Sequence, residues 1–507
     1  MPATPSNGFN PDSIGFWISR RAYLTPGRTA VEFEDELISY SQLNDRSNAF
    51  ASVLESEGLK KGDRVAVLSE NRPEYLGLFF ACAKLGLVLA PVSWRLSPEE
   101  MAWQLKDSSP SVLFASDEYL EAAKGLFSQR VIELQPEGAA GDRQAEPSDR
   151  SSFDDPLMIL YTSGTTGRPK GAVLTHGNFF WANLNMIVAS QFSSDDVSLV
   201  FLPMFHIGGW NINTLTVLLK GGKVLLEKSF DAKRALDLIE RKRVTWMMGV
   251  PATYLFLSQV EGFESRDLSS VRQMVVGGAP MPEALLETYS DRGIEIVQGY
   301  GSTELAPNAL LLPMEEAGGR QGSAGQPYFF TDTRLMSDEG ELLEPPATGE
   351  IVARGPIVMK GYWQREDATA DAIKGGWLHT GDVARTDEDG YFYVIDRKTD
   401  MIISGGENIY PAEVENSLYQ HPGIAEAAVF GIPDDRWGET VHAVIVPKEG
   451  SVISGEDVIA HCKGILAKFK TPRSVEIRTE PLPRTPAGKV RKHDLRAEHW
   501  RGRERKI

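Results

Sequence analysis

Apolar positions along this chain alternate between two spacings. Between residues 13 and 135, segments of helical period give way to short, solidly apolar runs. Ser41 to Leu54 places Leu43, Phe50, Val53 and Leu54 at helical spacing, which predicts a helix with one buried face. Arg64-Val65-Ala66-Val67-Leu68 follows and predicts a short buried strand. The longest apolar stretch, Leu76 to Val92, contains Gly77, Lys84 and Gly86. It reads as a buried helix and strand, because a membrane span needs about 20 consecutive apolar residues. Gln135 to Asp155 is polar and predicts a surface loop. The alternation then resumes, with strands near 157–161, 197–202 and 244–249 and helices near 176–190 and 231–242. Such an order predicts an α/β fold whose large N-terminal domain has mostly parallel sheets with packed helices.

The pattern changes near Asp396 to Asp400. Pro411 suits the first turn of a helix carrying Val414 and Leu418. Ala427 to Ile432 and Val441 to Pro447 read as strands. Ser454-Gly455-Glu456-Asp457 reads as a capping box for a helix whose apolar stripe is Val458, Cys462, Ile465 and Phe469. About a hundred residues of this kind make a small α+β domain. The expected division is residues 1–396 and 397–507.

Composition narrows the possible partners. With 507 residues and 42% hydrophobic content, the chain can bury a large core. Its formal net charge of −17 excludes nucleic acid as the main partner, since phosphate backbones select basic proteins. Cys82 and Cys462 form neither a CxxC pair nor a disulfide framework, which fits a reducing cytosol. The start, Met1-Pro2-Ala3-Thr4-Pro5-Ser6, lacks the basic and apolar regions of a signal peptide. A cytoplasmic protein is expected, with membrane contact at most peripheral.

The candidate chemistry begins where the run Leu157 to Tyr161 ends, in Thr162-Ser163-Gly164-Thr165-Thr166-Gly167-Arg168-Pro169-Lys170-Gly171. Backbone N–H groups, hydroxyls and one mobile cation together suit a polyphosphate. A Walker A loop is excluded, because Arg168-Pro169 separates Gly167 from Lys170 and Pro resists helix continuation. Further motifs follow in order: Pro203-Met204-Phe205-His206 before Gly208-Gly209-Trp210, then Gly277-Gly278-Ala279-Pro280, then Gln298-Gly299-Tyr300-Gly301-Ser302-Thr303-Glu304. Trp377-Leu378-His379-Thr380-Gly381-Asp382 and Asp396-Arg397 come next. Met401 to Pro411, containing Ser404-Gly405-Gly406 and Asn408, precedes Pro483-Arg484-Thr485-Pro486-Ala487-Gly488-Lys489. A hydroxyl beside a carboxylate, as in Thr303-Glu304, can contact phosphate and magnesium. The two oxygens of Asp382 suit two ribose hydroxyls.

Loop and motif order resemble the adenylate-forming superfamily: acyl-CoA synthetases, aryl-CoA ligases, firefly luciferase and the adenylation domains of nonribosomal peptide synthetases. The resemblance covers most of the chain and implies ATP, Mg2+ and coenzyme A as cofactors and co-substrates. It assigns Thr162 to Gly167 and Lys170 to the ATP phosphates, with Thr162 and Glu304 on the metal. Gly278, Ala279 and Pro280 would border the adenine beside Gly299 and Tyr300, Thr303 would meet the α-phosphate, and Asp382 and Arg397 the ribose and phosphate. His206 would stand by the carboxylate being activated, with Phe205, Gly208, Gly209, Trp210 and Gly301 lining the acyl pocket. Ser404, Gly405, Gly406 and Asn408 would line the CoA tunnel, and Lys489 would be the catalytic cation of a mobile C-terminal domain. The hinge departs from the common pattern: Thr399 stands where many relatives have Asp or Lys, with Asp400 next.

The implied reaction is acyl-CoA synthesis through an acyl-adenylate. Three small glycines at the pocket favour a medium- or long-chain fatty acid, with a cinnamate-like aryl acid second. Loading of a carrier protein is a further alternative. Expected partners are the small carboxylic acid, ATP and CoA, and a homodimer is compatible with the chain.

Overall fold

The computed structural model describes residues 10–135, 145–148, 151–162, 169–398, 400–404, 407–434, 436–485 and 490–501. Three sheets lie before residue 398 and a fourth after residue 401. In the first sheet, Ile296–Tyr300, Gln273–Val276, Trp246–Gly249, Val197–Val200, Lys223–Leu226 and Thr29–Phe33 are neighbours and all parallel. In the second, Pro156–Thr162, Val88–Val92, Arg64–Leu68, Val112–Ala115 and Arg130–Glu133 are parallel. Lys170–Thr175 closes back antiparallel on Pro156–Thr162, so Thr162 faces Lys170 across the mouth of a hairpin. The third sheet, built on Asp332–Met336, Thr348–Arg354, Trp377–Thr386 and Phe392–Arg397, is antiparallel throughout. Nothing in the alternating pattern had signalled it.

Local chemistry explains the elements that the pattern predicts. The helix Tyr40–Ser56 starts at Ser39, whose hydroxyl accepts from Gln42 N–H while Gln42 returns a bond to the cap backbone. Pro73–Leu85 ends at Gly86, in left-handed backbone at φ 67°, and Val88–Val92 follows as a fully buried strand. Lys84 in that helix is 1% exposed. Its ammonium donates to Asn44 Oδ1 (2.7 Å) and Asn48 Oδ1 (2.6 Å) and pairs with Glu146 (2.8 Å). The polar segment 135–155 thus sends one carboxylate inward to neutralise a buried cation, whose isolation would be costly. Among the described residues no helix is long and apolar enough to cross a membrane.

The fourth sheet pairs Ile424–Asp434 with Gly438–Pro447 over an eleven-residue strand, packed by Pro411–Tyr419 and Gly455–Ile465. Ser454 caps the latter helix as its sequence predicts. The expected stripe is only half right. Val458 and Cys462 are buried, but the helix ends at Ile465, and Ile465 and Phe469 are exposed. Both cysteines are free and buried.

Candidate active site

The parallel strands Pro156–Thr162 and Ile296–Tyr300 and the antiparallel pair Trp377–Thr386/Phe392–Arg397 bring their functional ends together. Thr162 Oγ1 donates to Glu304 Oε1 at 3.3 Å, across 142 residues of chain. Glu304 sits in the helical turn Thr303–Leu305, and its backbone carbonyl accepts from Met359 N–H at 2.8 Å. Tyr362 also donates to Glu304 Oε1, at 2.9 Å. Oε2 accepts no hydrogen bond from a described residue. Two hard oxygens side by side, one an unshared carboxylate oxygen, suit magnesium.

Tyr362 carries no motif in the sequence reading. It comes to the site because Gly361–Tyr362 pairs with Lys170–Thr175, setting Tyr362 opposite Ala172. Its ring lies 5.2 Å from Lys170 Nζ. Burial, reinforced by Glu304, raises the Tyr362 pKa, so the phenol stays a donor.

A second constellation adjoins the first. Tyr300 OH donates to Asp382 Oδ2 at 2.6 Å, and Arg397 Nε pairs with Asp382 Oδ1 at 3.1 Å. Asp382 and Arg397 are register partners on neighbouring strands. Burial opposes the charge of Arg397, but Asp382 and Asp400 outweigh it, with Tyr300 and Glu304 adding to them, and the guanidinium pKa is raised. Burial and Asp382 likewise hold Tyr300 protonated. A carboxylate has about four lone-pair positions, so Asp382 can still accept from two vicinal hydroxyls.

The segment leading to His206 is fixed by Asn71. Asn71 Nδ2 donates to Leu202 O (2.9 Å), and its Oδ1 accepts from Met204 N–H (2.9 Å). His206 is half-buried, and its Nδ1 accepts from Gly208 N–H at 3.2 Å, which places the proton of the neutral ring on Nε2. Phe205 meets Trp94 edge-on at 6.5 Å.

Three residues expected at the acyl pocket have these surroundings. Trp210 is fully buried in the core against Phe79 (4.5 Å) and Tyr75 (5.7 Å), with Nε1–H bonded to Met204 O. At Gly209 and Gly301 the absent side chain is required by close backbone packing. A Cβ on Gly209 would stand 2.6 Å from Pro203 O, and one on Gly301 would stand 1.3 Å from Pro307 O. Both glycines allow backbone to touch backbone. Only Gly208 of the three has ordinary contacts, 3.4 Å to His206 Nδ1 and 3.5 Å to Leu202.

The remaining expected residues are placed as follows. Gly278, Ala279 and Pro280 form an exposed loop after Gln273–Val276, with Gly278 at φ 82°. Gly299 packs against Leu311 of the next strand. Thr303 is buried beside Glu304. Ser404 is buried at the end of Ile402–Ser404, which forms a hairpin with Glu407–Ile409, the strand that includes Asn408. Ser163 to Gly167, Thr399, Gly405, Gly406 and Lys489 lie outside the described residues. On either side of residues 486–489 in sequence, Arg484 and Val490 form a β-bridge, and Arg484 pairs with Glu426 at 2.5 Å. Three residues beyond Lys489, Lys492 pairs with half-buried Glu415 at 2.8 Å.

Such a site, on such a fold, defines an enzyme that joins a nucleotide to a carboxylic acid. Residues 18–363 match the AMP-binding enzyme family and residues 413–489 its C-terminal domain. The chain belongs to this family of adenylate-forming enzymes and is an AMP-forming acid–thiol ligase that uses ATP, Mg2+ and CoA. It is 46% identical over 484 residues to a feruloyl-CoA synthase of Amycolatopsis, covering 95% of this chain and 98% of the relative. It is 38% identical over 503 residues to a long-chain-fatty-acid–CoA ligase of Mycobacterium tuberculosis, covering 96% and 98%. Among solved structures, o-succinylbenzoate CoA synthetase of Bacillus subtilis with ATP and magnesium superposes with a TM-score of 0.86 at 34% identity, covering 95% and 98%.

Proposed function

We propose that this ligase activates an aromatic carboxylic acid of the hydroxycinnamate kind in the cytoplasm. The observation that carries the adenylating part is the convergence of Thr162, Glu304 and Tyr362 beside Tyr300, Asp382 and Arg397. The aromatic acid is supported by the feruloyl-CoA synthase relative, more similar than the fatty-acid ligase over the same span. Close backbone contacts already account for the glycines at 209 and 301, so these two give no separate support to a long alkyl tunnel. A long-chain fatty acid is the second reading, favoured by the mycobacterial relative.

In the first step a carboxylate oxygen attacks the α-phosphorus of ATP and expels pyrophosphate. Thr162 and Glu304 would hold Mg2+, which supplies charge neutralisation on the phosphates. Tyr300 packs on the adenine, Asp382 accepts from the ribose hydroxyls, and Arg397 and Lys489 stabilise negative charge. Gly278, Ala279 and Pro280 border the base, and His206 with Gly208 and Phe205 positions the acid. In the second step the CoA thiol attacks the acyl carbon and AMP leaves. Residues 397–507 then turn about the segment near Thr399, exchanging Lys489 for Ser404-Gly405-Gly406 at the site, a lid motion that separates two half-reactions.

The test is AMP release with ATP, Mg2+ and a panel of cinnamic, indolic and fatty acids, with and without CoA. CoA-dependent release that is fastest with ferulate supports the proposal. A preference for acids of twelve or more carbons supports the second reading. Pyrophosphate exchange without thioester would mean that a carrier protein is the acceptor.

A further inference from the structure

Among the described residues, one cluster of metal-ligating side chains lies away from the nucleotide site: His442, Glu476 and His499, each offering a ligand atom within 4.8 Å of the other two. Strand pairing builds it. Gly438–Pro447 and Ser474–Ile477 run parallel, with His442 opposite Ser474 and Val444 opposite Glu476. Because side chains alternate between faces, His442, Val444, Ser474 and Glu476 share one face.

The helix Lys492–Ala497 packs on that face through Leu495, which is buried with Phe430 and Val444. The chain leaving the helix carries His499 over His442, with ring centroids 4.7 Å apart and planes at 51°. Position is fixed on both sides of His499. Its N–H bonds to Arg496 O at 3.1 Å, and Trp500 Nε1–H bonds to Gly431 O at 3.0 Å.

His442 gives the independent sign of a ligand. It is 5% exposed. Its Nδ1 is 2.7 Å from Ser474 Oγ, while its Nε2 is buried and has no hydrogen-bond partner among the described residues. Buried polar atoms are seldom left without a partner. In the tautomer that donates Nδ1–H to Ser474, Nε2 carries the lone pair. That is the arrangement by which an outer hydroxyl sets the tautomer of a metal-binding imidazole. Arg478 pairs with Glu476 Oε1 at 3.7 Å, an exposed contact of little strength, and the carboxylate has a second oxygen.

We propose that His442, Glu476 and His499 bind one Zn2+-class ion, with water as fourth ligand, clipping the helix Lys492–Ala497 to the C-terminal sheet. Two imidazoles and one carboxylate suit a borderline transition ion, whereas magnesium takes oxygen ligands. A tetrahedral centre with bonds of about 2.0–2.2 Å holds its ligand atoms roughly 3.4 Å apart. The exposed Glu476 and His499 side chains close that gap by rotamer adjustment.

Zn2+ is titrated into chelator-stripped full-length protein against a chromophoric competitor, and Co2+ is added separately for its visible spectrum. One equivalent of Zn2+ should bind, and millimolar Mg2+ should not displace it. Affinity should fall at least about tenfold in His499→Ala and in Glu476→Gln, and about tenfold in Ser474→Ala. Glu304→Gln should leave it unchanged. The four-coordinate Co2+ bands should vanish in His499→Ala, as should the rise in thermal midpoint on adding zinc. The two exposed positions avoid the folding risk of opening the buried His442 site. No stoichiometric zinc in wild type overturns the proposal. So does one equivalent held equally tightly by His499→Ala.

Discussion

Tyr362 donates its hydroxyl to Glu304 at 2.9 Å, and Thr162 donates to the same carboxylate oxygen from the other side. Among the described residues, Glu304 is therefore held by one oxygen while the second accepts no hydrogen bond. Hydrogen bonds to charged groups are worth about 1.5–3 kcal/mol. Tyr362→Phe keeps the ring over Lys170 and removes only that restraint. Adenylation, followed by pyrophosphate exchange, should drop about tenfold in kcat/KM and need more Mg2+ for half-maximal rate. A variant with unchanged Mg2+ dependence would show that Tyr362 does not orient the metal ligand.

The three glycines near the acyl site should separate cleanly. Gly301→Ala sets a methyl 1.3 Å from Pro307 O, and Gly209→Ala sets one 2.6 Å from Pro203 O. Neither carbonyl can move far, so both variants should lose soluble protein or several degrees of thermal midpoint. Gly208→Ala meets His206 and Leu202 at 3.4–3.5 Å and should fold normally. Its effect should fall on acid selectivity, read as the ratio of kcat/KM for ferulate and for a smaller aromatic acid. Equal selectivity in Gly208→Ala and wild type would remove Gly208 from the pocket wall.

Legibility of the sequence varied with the range of the interaction. Arg64–Leu68 and the cap of Gly455–Ile465 depend on residues a few positions apart, and the pattern places them correctly. The antiparallel sheet of Asp332–Met336 and Thr348–Arg354 escaped, because its strands mix exposed and buried positions without a clean period. The motif residues Thr162, Glu304, Tyr300, Asp382 and Arg397 were visible, and the structure brings them together. Tyr362 was not, since its role comes from pairing with a strand some 190 residues earlier. The surroundings of Trp210 were not legible either, since its ring packs on Phe79, more than a hundred residues earlier in the chain.

In sequence, Lys489 lies between the Arg484–Glu426 pair and the Lys492–Glu415 pair. Its cation is assigned to the first half-reaction alone. Lys489→Ala should lower adenylation by at least about a hundredfold, the scale of losing one electrostatic stabiliser. Thioester formation from a supplied acyl-adenylate should stay within about threefold of wild type, a difference under 1 kcal/mol. Loss of both half-reactions would sink the two-position scheme for residues 397–507.

His176 should make the fold acid-sensitive. It is fully buried at the start of His176–Ala189, and its Nδ1 accepts from Ile14 N–H at 3.1 Å. Burial lowers its pKa to about 4, with Asp155 opposing and Lys61 adding to the effect. Charging the ring would require a proton at Nδ1, and the bond to Ile14 would be lost. An unfolded histidine titrates near pH 6.5, so between that pH and 4 the unfolded chain binds a proton that the folded chain refuses. Stability therefore falls as pH drops through this window, by about 3 kcal/mol in all, and the loss from this residue levels off below pH 4. His442 is also held neutral by burial, with His499 adding to the effect, so the comparison must be between wild type and variant. His176→Asn keeps an acceptor for Ile14 without a titrating group. Its thermal midpoint should decline less steeply than that of wild type between pH 6.5 and 4, with parallel curves above pH 7. Equal slopes across the window would mean that His176 is not the acid-labile group.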